Sequence, residues 1–209
     1  RWAWRREGRT DEGERDVGRE TRLPLANETA RSPGWWGSVF LLTADATLFG
    51  SLIFGYVFLW TIAPGWPPPA WLEMSFLDIA FGIGGAIITF KATQMAWHRL
   101  KRGASPVRMT WLAGAGMLLL AATLIALIFR APPPTEHAYG ATLLVLGAFG
   151  LFHTALAGLM LVFQGLRYAR GYASPRRQAE FSIVRVWTFY GAVTGTICLL
   201  LAHIPALFV

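Results

Sequence analysis

Five long apolar runs, at about residues 35–63, 76–98, 108–130, 139–168 and 182–207, leave this chain few folds to choose from. A helix rises about 1.5 Å per residue, and roughly 20 apolar residues cover the hydrocarbon core of a bilayer, so each run is long enough to span one. The reading is an all-α fold, a polytopic membrane bundle of five transmembrane helices over residues 35–209. Residues 1–34 precede it as a polar linker or tail, with eight Arg against seven Asp or Glu and almost no apolar periodicity. That stretch is expected to be solvated and partly extended around Leu23-Pro24-Leu25. Pro64-Gly65-Trp66-Pro67-Pro68-Pro69 and Pro132-Pro133-Pro134 end the first and third runs, since proline cannot donate the hydrogen bond that would continue a helix.

At 54% hydrophobic residues and mean hydropathy +0.42, the composition excludes an ordinary soluble domain. The net charge of +7 is not the footprint of a nucleic-acid binder, because the cations alternate with the spans. The tail, the loop near 99–108 and the loop near 167–185 carry 8, 4 and 5 of the 19 Lys and Arg, and the loops near 64–75 and 131–138 carry none. The positive-inside rule then predicts an inside N-terminus, five spans and an outside C-terminus. Trp60, Trp66 and Trp71 are expected in an interfacial aromatic belt. The opening Arg1-Trp2-Ala3-Trp4-Arg5-Arg6 looks like the exit of an earlier membrane helix, so the chain is expected to be a trimmed or back portion of a longer polypeptide. Cys198, the single cysteine, lies in an apolar run and excludes a disulfide framework or thiolate cluster.

Asp45 is the costliest residue in the sequence. Ten residues in from Trp35, it lies roughly 15 Å deep, where a carboxyl facing lipid costs on the order of 3 kcal/mol or more. It is therefore expected to face protein, water or a bound headgroup, either as a functional acid or as a structural hydrogen-bonding group. Thr43 and Thr47 flank it as candidate hydrogen-bonding partners. Lys91 is expected to snorkel to the interface, and Asp78 suits a helix N-terminus. His153, alone in mid-span, reads more simply as a packed histidine than as a ligand. Glu180, beside Arg176, Arg177 and Arg185, is expected in an ion pair. His98, His137, His153 and His203 fall in different segments with no ligand spacing, so neither a metal site nor a catalytic centre is expected in this chain. Small residues such as Gly82, Gly85, Gly114 and Gly116 let helices approach closely. The Gly191-Ala192-Val193-Thr194-Gly195 match to GxxxG is expected to mark internal packing.

Three stretches point to a family. Trp36-Gly37-Ser38-Val39-Phe40-Leu41-Leu42-Thr43-Ala44-Asp45-Ala46-Thr47-Leu48-Phe49 resembles the third helix of subunit III of the heme–copper terminal oxidases, with Asp45 on the family's buried, carbodiimide-reactive glutamate. Trp97-His98-Arg99-Leu100-Lys101-Arg102-Gly103 is similar to the Trp-Ala-His-His end of the next helix. Tyr139-Gly140-Ala141-Thr142 with Gly147 to His153 resembles the Tyr-Gly-Ser-Thr and Gly-Phe-His-Gly-Leu-His stretch. The likeness covers about 35–207, in order. Asp stands for Glu at 45, Gly150 for a histidine, and Trp187-Thr188-Phe189-Tyr190-Gly191 for Trp-His-Phe-Val-Asp. The two N-terminal helices of the seven-helix form have no counterpart; the five-helix pattern looks most like subunit III fused behind subunit I.

The resemblance implies an accessory, non-redox subunit III of a proton-pumping terminal oxidase, cytochrome c oxidase type, enzymatic only as part of that complex. It implies subunits I and II as partners, heme and copper held in those partners, and bound phospholipid in a cleft. Asp45 would then modulate proton access or the lipid cleft, with Thr43, Thr47, His98, His153 and Glu180 as supporting polar residues. Alternatives are a quinol oxidase subunit III, a nitric oxide reductase accessory subunit, or an independent small transporter, which the copurifying partner would separate.

Overall fold

The structure is a computed structural model and describes residues 14–16, 22–24, 31–68, 76–172 and 178–207. Five helices carry it: α1 (Pro33–Ile62), α2 (Phe76–Lys101), α3 (Val107–Arg130), α4 (Ala138–Ala169) and α5 (Gln178–His203). All five are long and apolar enough to cross a membrane, so the chain is a polytopic helical bundle and a multi-pass membrane protein. In the tail, β1 (Glu14–Asp16) pairs antiparallel with β2 (Arg22–Pro24), with Arg15 opposite Leu23. An extended stretch near Leu23 was expected, but its pairing was not.

Local chemistry sets the helix ends. Ser32 caps α1 by accepting from the Trp35 N–H at 3.2 Å, and Pro33 opens the first turn, where its missing donor costs nothing. His137 Nδ1 caps α4 in the same way, accepting from Tyr139 N–H at 3.0 Å. The end of α5 faces a harder problem. The Leu201 carbonyl would take its hydrogen bond from residue 205, which is proline and has no N–H. Tyr56 of α1 donates its hydroxyl to that carbonyl at 2.6 Å, and Tyr139 of α4 donates to the Ala202 carbonyl at 2.8 Å. Two tyrosines from other helices thus satisfy a helix end that the chain itself leaves open.

Trp66 sits between these tyrosines, edge-on to Tyr56 at 5.4 Å and to Tyr139 at 5.1 Å between centroids. It is buried and plugs this end of the bundle, which corrects its assignment to an interfacial belt. The reason is local: the Tyr56–Tyr139 gap offers an aromatic slot that a headgroup region does not. Trp60 is half-buried, and Trp71 lies outside the described residues.

Helix α5 packs against all four other helices, whereas α1 touches only α4 and α5 among the described elements. Helices α2 and α3 approach each other closely. A Cβ placed on Gly116 would lie 2.6 Å from the Gly85 carbonyl oxygen, so the two backbones meet there and only glycine fits. Gly191 plays the same part for α5 against α4, where an added Cβ would lie 2.9 Å from the His153 carbonyl. The GxxxG match is therefore an internal packing face, as its sequence suggested. α1 fastens to the bundle by a narrow seam. Its buried residues are Leu42, Phe49 and Tyr56, spaced by sevens, which keeps one edge of the helix against its neighbours.

Candidate functional site

Asp45 lies on that same seam, three residues after Leu42 and four before Phe49, so its side chain turns toward the bundle rather than toward the exposed flank. It meets two groups from different helices. Tyr190 of α5 donates its hydroxyl to Asp45 Oδ2 at 2.5 Å. His153 Nε2 of α4 lies 3.1 Å from the same oxygen. The carboxylate side chain is 22% exposed and the imidazole 5%, so the cluster is buried on the bundle side and opens past Asp45. Asp45 stands about 18 Å along α1 from Pro33, and Tyr190 a similar distance along α5 from Gln178, so both lie well inside the apolar span.

The proton count of this cluster follows from its hydrogen bonds. His153 Nδ1 faces the Phe149 carbonyl oxygen at 2.9 Å. A carbonyl can only accept, so Nδ1 carries a hydrogen and Nε2 is the nitrogen left to vary. A close contact between Nε2 and Oδ2 needs one hydrogen between them. Either a protonated carboxyl donates to a neutral imidazole, or an imidazolium donates to a carboxylate. In both forms the pair has no net charge and holds one proton. That resolves the cost of an acid at this depth, because an uncharged, hydrogen-bonded pair escapes most of the penalty for an isolated ion. Tyr190 donates to Oδ2 in either form and fixes the carboxyl.

Aromatic rings hold the imidazole in place. Phe149 lies 4.4 Å from it, Phe152 stands edge-on at 5.1 Å, and Tyr190 edge-on at 5.2 Å. Phe149 is itself stacked on Phe49 of α1 at 4.9 Å, which ties the α1 seam to the histidine. The result is an aromatic-walled cluster of Asp45, His153 and Tyr190 whose open side lies at Asp45.

The other expected site residues are placed elsewhere. Thr43 and Thr47 flank Asp45 in sequence, but each hydroxyl bonds to its own helix, Thr43 to the Val39 carbonyl at 2.8 Å and Thr47 to the Ala44 carbonyl at 2.6 Å. They point off the exposed side of α1, because residues two apart on a helix do not share a face. His98 is exposed in the last turn of α2, remote from the cluster. Glu180 does form an ion pair, but its partner is Arg167 of α4, with contacts of 2.9 and 3.2 Å, rather than Arg185 on its own helix. Arg176 and Arg177 lie outside the described residues. Asp78 pairs with Arg130 across α2 and α3, and the Lys91 side chain is exposed.

On the residues alone His153 reads as a lone packed histidine and on the resemblance as a supporting polar residue, whereas Tyr190 enters only as a departure from the family pattern. The usable signal was the spacing of Leu42, Phe49 and Tyr56, which marks the buried edge of α1 and puts Asp45 on it. Nothing in the sequence says which helices face that edge. Among the described residues, no three His, Cys, Asp or Glu side chains converge as a metal site would require. Compared with protein-family models and with curated proteins, the sequence finds no match.

Proposed function

We propose that this chain is the accessory, non-redox subunit III-like domain of a proton-pumping terminal oxidase of the cytochrome c oxidase type. One observation carries the reading. Two stretches that resemble the family, Trp36–Phe49 and Gly147–His153, lie about a hundred residues apart and meet at the Asp45–His153 contact. A resemblance that arose by chance in two apolar segments would have no reason to join their polar residues in one hydrogen-bonded cluster.

The chemistry suits an accessory role. The Asp45–His153 pair stores a proton within the membrane without net charge, and its open side lets that proton exchange. α1 leaves Phe40, Leu41, Leu48, Phe54, Phe58 and Ile62 exposed along its outer flank. In the proposed assembly, oxidase subunit I and membrane lipid cover this flank, with subunit II further away and heme and copper held by those partners. The orientation proposed is N-terminus cytoplasmic and C-terminus periplasmic, in a bacterial inner membrane.

The test is gentle purification of the native complex, followed by a heme spectrum and intact-mass analysis. Heme a and copper copurifying with this polypeptide support the assignment. A chain that purifies by itself, and works without heme partners, overturns it in favour of an independent transporter. Within an intact oxidase, Asp45→Ala is expected to shorten sustained turnover while leaving heme content unchanged.

A further inference from the structure

The strongest unassigned feature lies at the basic end of the bundle, where the start of α1 and the beginning of α5 meet the end of α2. A pocket of about 350 Å³ opens there, lined by Arg31, Trp35, Gln94, Trp97, Arg185 and Phe189 among others. Two guanidinium groups face into it, each resting on a tryptophan. Arg31 Cζ lies 5.6 Å from the Trp35 ring centre, and Arg185 Cζ lies 4.6 Å from that of Trp97. Lys101 places a third cation 4.7 Å from the Trp97 ring. The indoles pack these cations and hold them in position without neutralising them.

Nothing described in the bundle balances that charge. Asp78 is engaged with Arg130 and Glu180 with Arg167, while Asp45 is engaged with His153 and Tyr190. Glu136 belongs to the loop between α3 and α4 at the opposite end. Arg185 donates through Nη2 to Gln94 at 3.0 Å, but its Nε is buried and has no acceptor among the described residues. A buried guanidinium donor without an acceptor is costly, and planar guanidinium groups match the oxygens of phosphate especially well. The volume is at the lower end of the roughly 300–1,000 Å³ typical of small-ligand pockets, too large for a lone halide.

Phe189 also lines a second hollow, an apolar groove of about 360 Å³ between α2 and α5 that includes Ile83, Ile87, Phe90, Val193 and Ile197. The charged pocket and the apolar groove therefore adjoin. We propose that the Arg31–Arg185 pocket binds a phosphate-class anion, with the two guanidinium groups gripping its oxygens. Two sources share this chemistry. An anionic phospholipid would place its phosphodiester in the pocket and an acyl chain in the groove, whereas free phosphate would occupy the pocket alone.

The full chain, purified in detergent with whatever partners accompany it, tests this by native mass spectrometry after exchange with phosphatidylglycerol or phosphatidylcholine. A parallel arm uses equilibrium dialysis against radiolabelled inorganic phosphate. The expected result is selective retention of phosphatidylglycerol, weakened about tenfold or more by Arg31→Gln and by Arg185→Gln. Arg130→Gln, at the opposite end, is expected to bind as the parent does. Phosphate binding that both pocket variants abolish, without selective lipid retention, also supports the pocket and assigns it to the free ion. Arg31 precedes the first helix and packs on Trp35, so helical circular dichroism of each pocket variant is compared with the parent's, and a loss of binding with unchanged helicity is not a folding defect. Equal lipid retention in the parent and both pocket variants, with no phosphate binding, overturns the proposal.

Discussion

Asp45→Asn and Asp45→Leu should remove the hydrogen bonds of the α1 seam in two steps, one contact in the first variant and both in the second. In the parent, Oδ2 accepts from Tyr190 at 2.5 Å and shares one hydrogen with His153 Nε2 at 3.1 Å. An asparagine in the same place presents one amide atom where Oδ2 stood: as oxygen it accepts from Tyr190 but gives Nε2 no hydrogen, and as nitrogen it donates to Nε2 but cannot accept from Tyr190. One of the two contacts survives, and the exchangeable proton is lost. Its expected effect on stability is about 0.6–1.7 kcal/mol, the loss of one interhelical hydrogen bond. A leucine fills similar space but leaves the Tyr190 hydroxyl and His153 Nε2 without partners. Unsatisfied buried polar groups cost about 1–3 kcal/mol each, but interhelical hydrogen bonds measured in membranes average only about 0.6 and reach about 1.7. The lower scale applies in this setting, so Asp45→Leu is expected to cost about 1–3 kcal/mol. Unfolding in mixed micelles, followed by helical circular dichroism, measures both variants. Infrared difference spectroscopy should detect a protonated carboxyl or an imidazolium in the parent and neither signal from this pair in Asp45→Asn. An Asn variant as unstable as the Leu variant, or a Leu variant as stable as the parent, refutes the hydrogen-bond accounting.

Four further outcomes are expected. Tyr190→Phe should cost about 0.6–1.7 kcal/mol and combine non-additively with Asp45→Leu in a double-mutant cycle, since both remove the same contact. Tyr56→Phe should cost about 1–2 kcal/mol in the same unfolding assay, because the Leu201 carbonyl then has neither Tyr56 nor an N–H from Pro205. Gly116→Val should prevent folding or cost about 3 kcal/mol or more, since its Cβ would collide with the Gly85 carbonyl; a folded variant of parental stability would contradict the α2–α3 contact. Arg167→Ala should change stability by less than about 1 kcal/mol, with the difference shrinking in salt, because the Arg167–Glu180 pair is partly exposed.

Much of the fold was legible in the chain. Run length and hydrophobicity set five spanning helices, because a bilayer leaves long apolar segments little alternative. The helix ends were legible wherever Ser32, Pro33 or the proline clusters fixed them through local chemistry. Asp45 stood out for a similar reason, as a solitary acid far from water needs a partner. The sequence was misleading where adjacency substituted for contact. Thr43 and Thr47 are near Asp45 along the chain but on another face, and Glu180 passes over its basic neighbours for Arg167 of α4.

What the residues alone determined, then, is what each segment can do by itself: span, cap, break, or carry a costly group inward. Only the tertiary structure decided who meets whom. The Asp45–His153–Tyr190 cluster joins three helices whose polar residues lie 108 and 37 positions apart in the sequence, and the rescue of the Leu201 carbonyl by Tyr56 spans 145. Helix periodicity fixes which edge of a helix is buried, but in lipid all apolar flanks are alike as solvent. The choice of neighbour rests on small residues such as Gly85, Gly116 and Gly191 allowing backbones to close, and on polar groups finding their complements across the gap. Those are properties of pairs of helices, which no single segment contains.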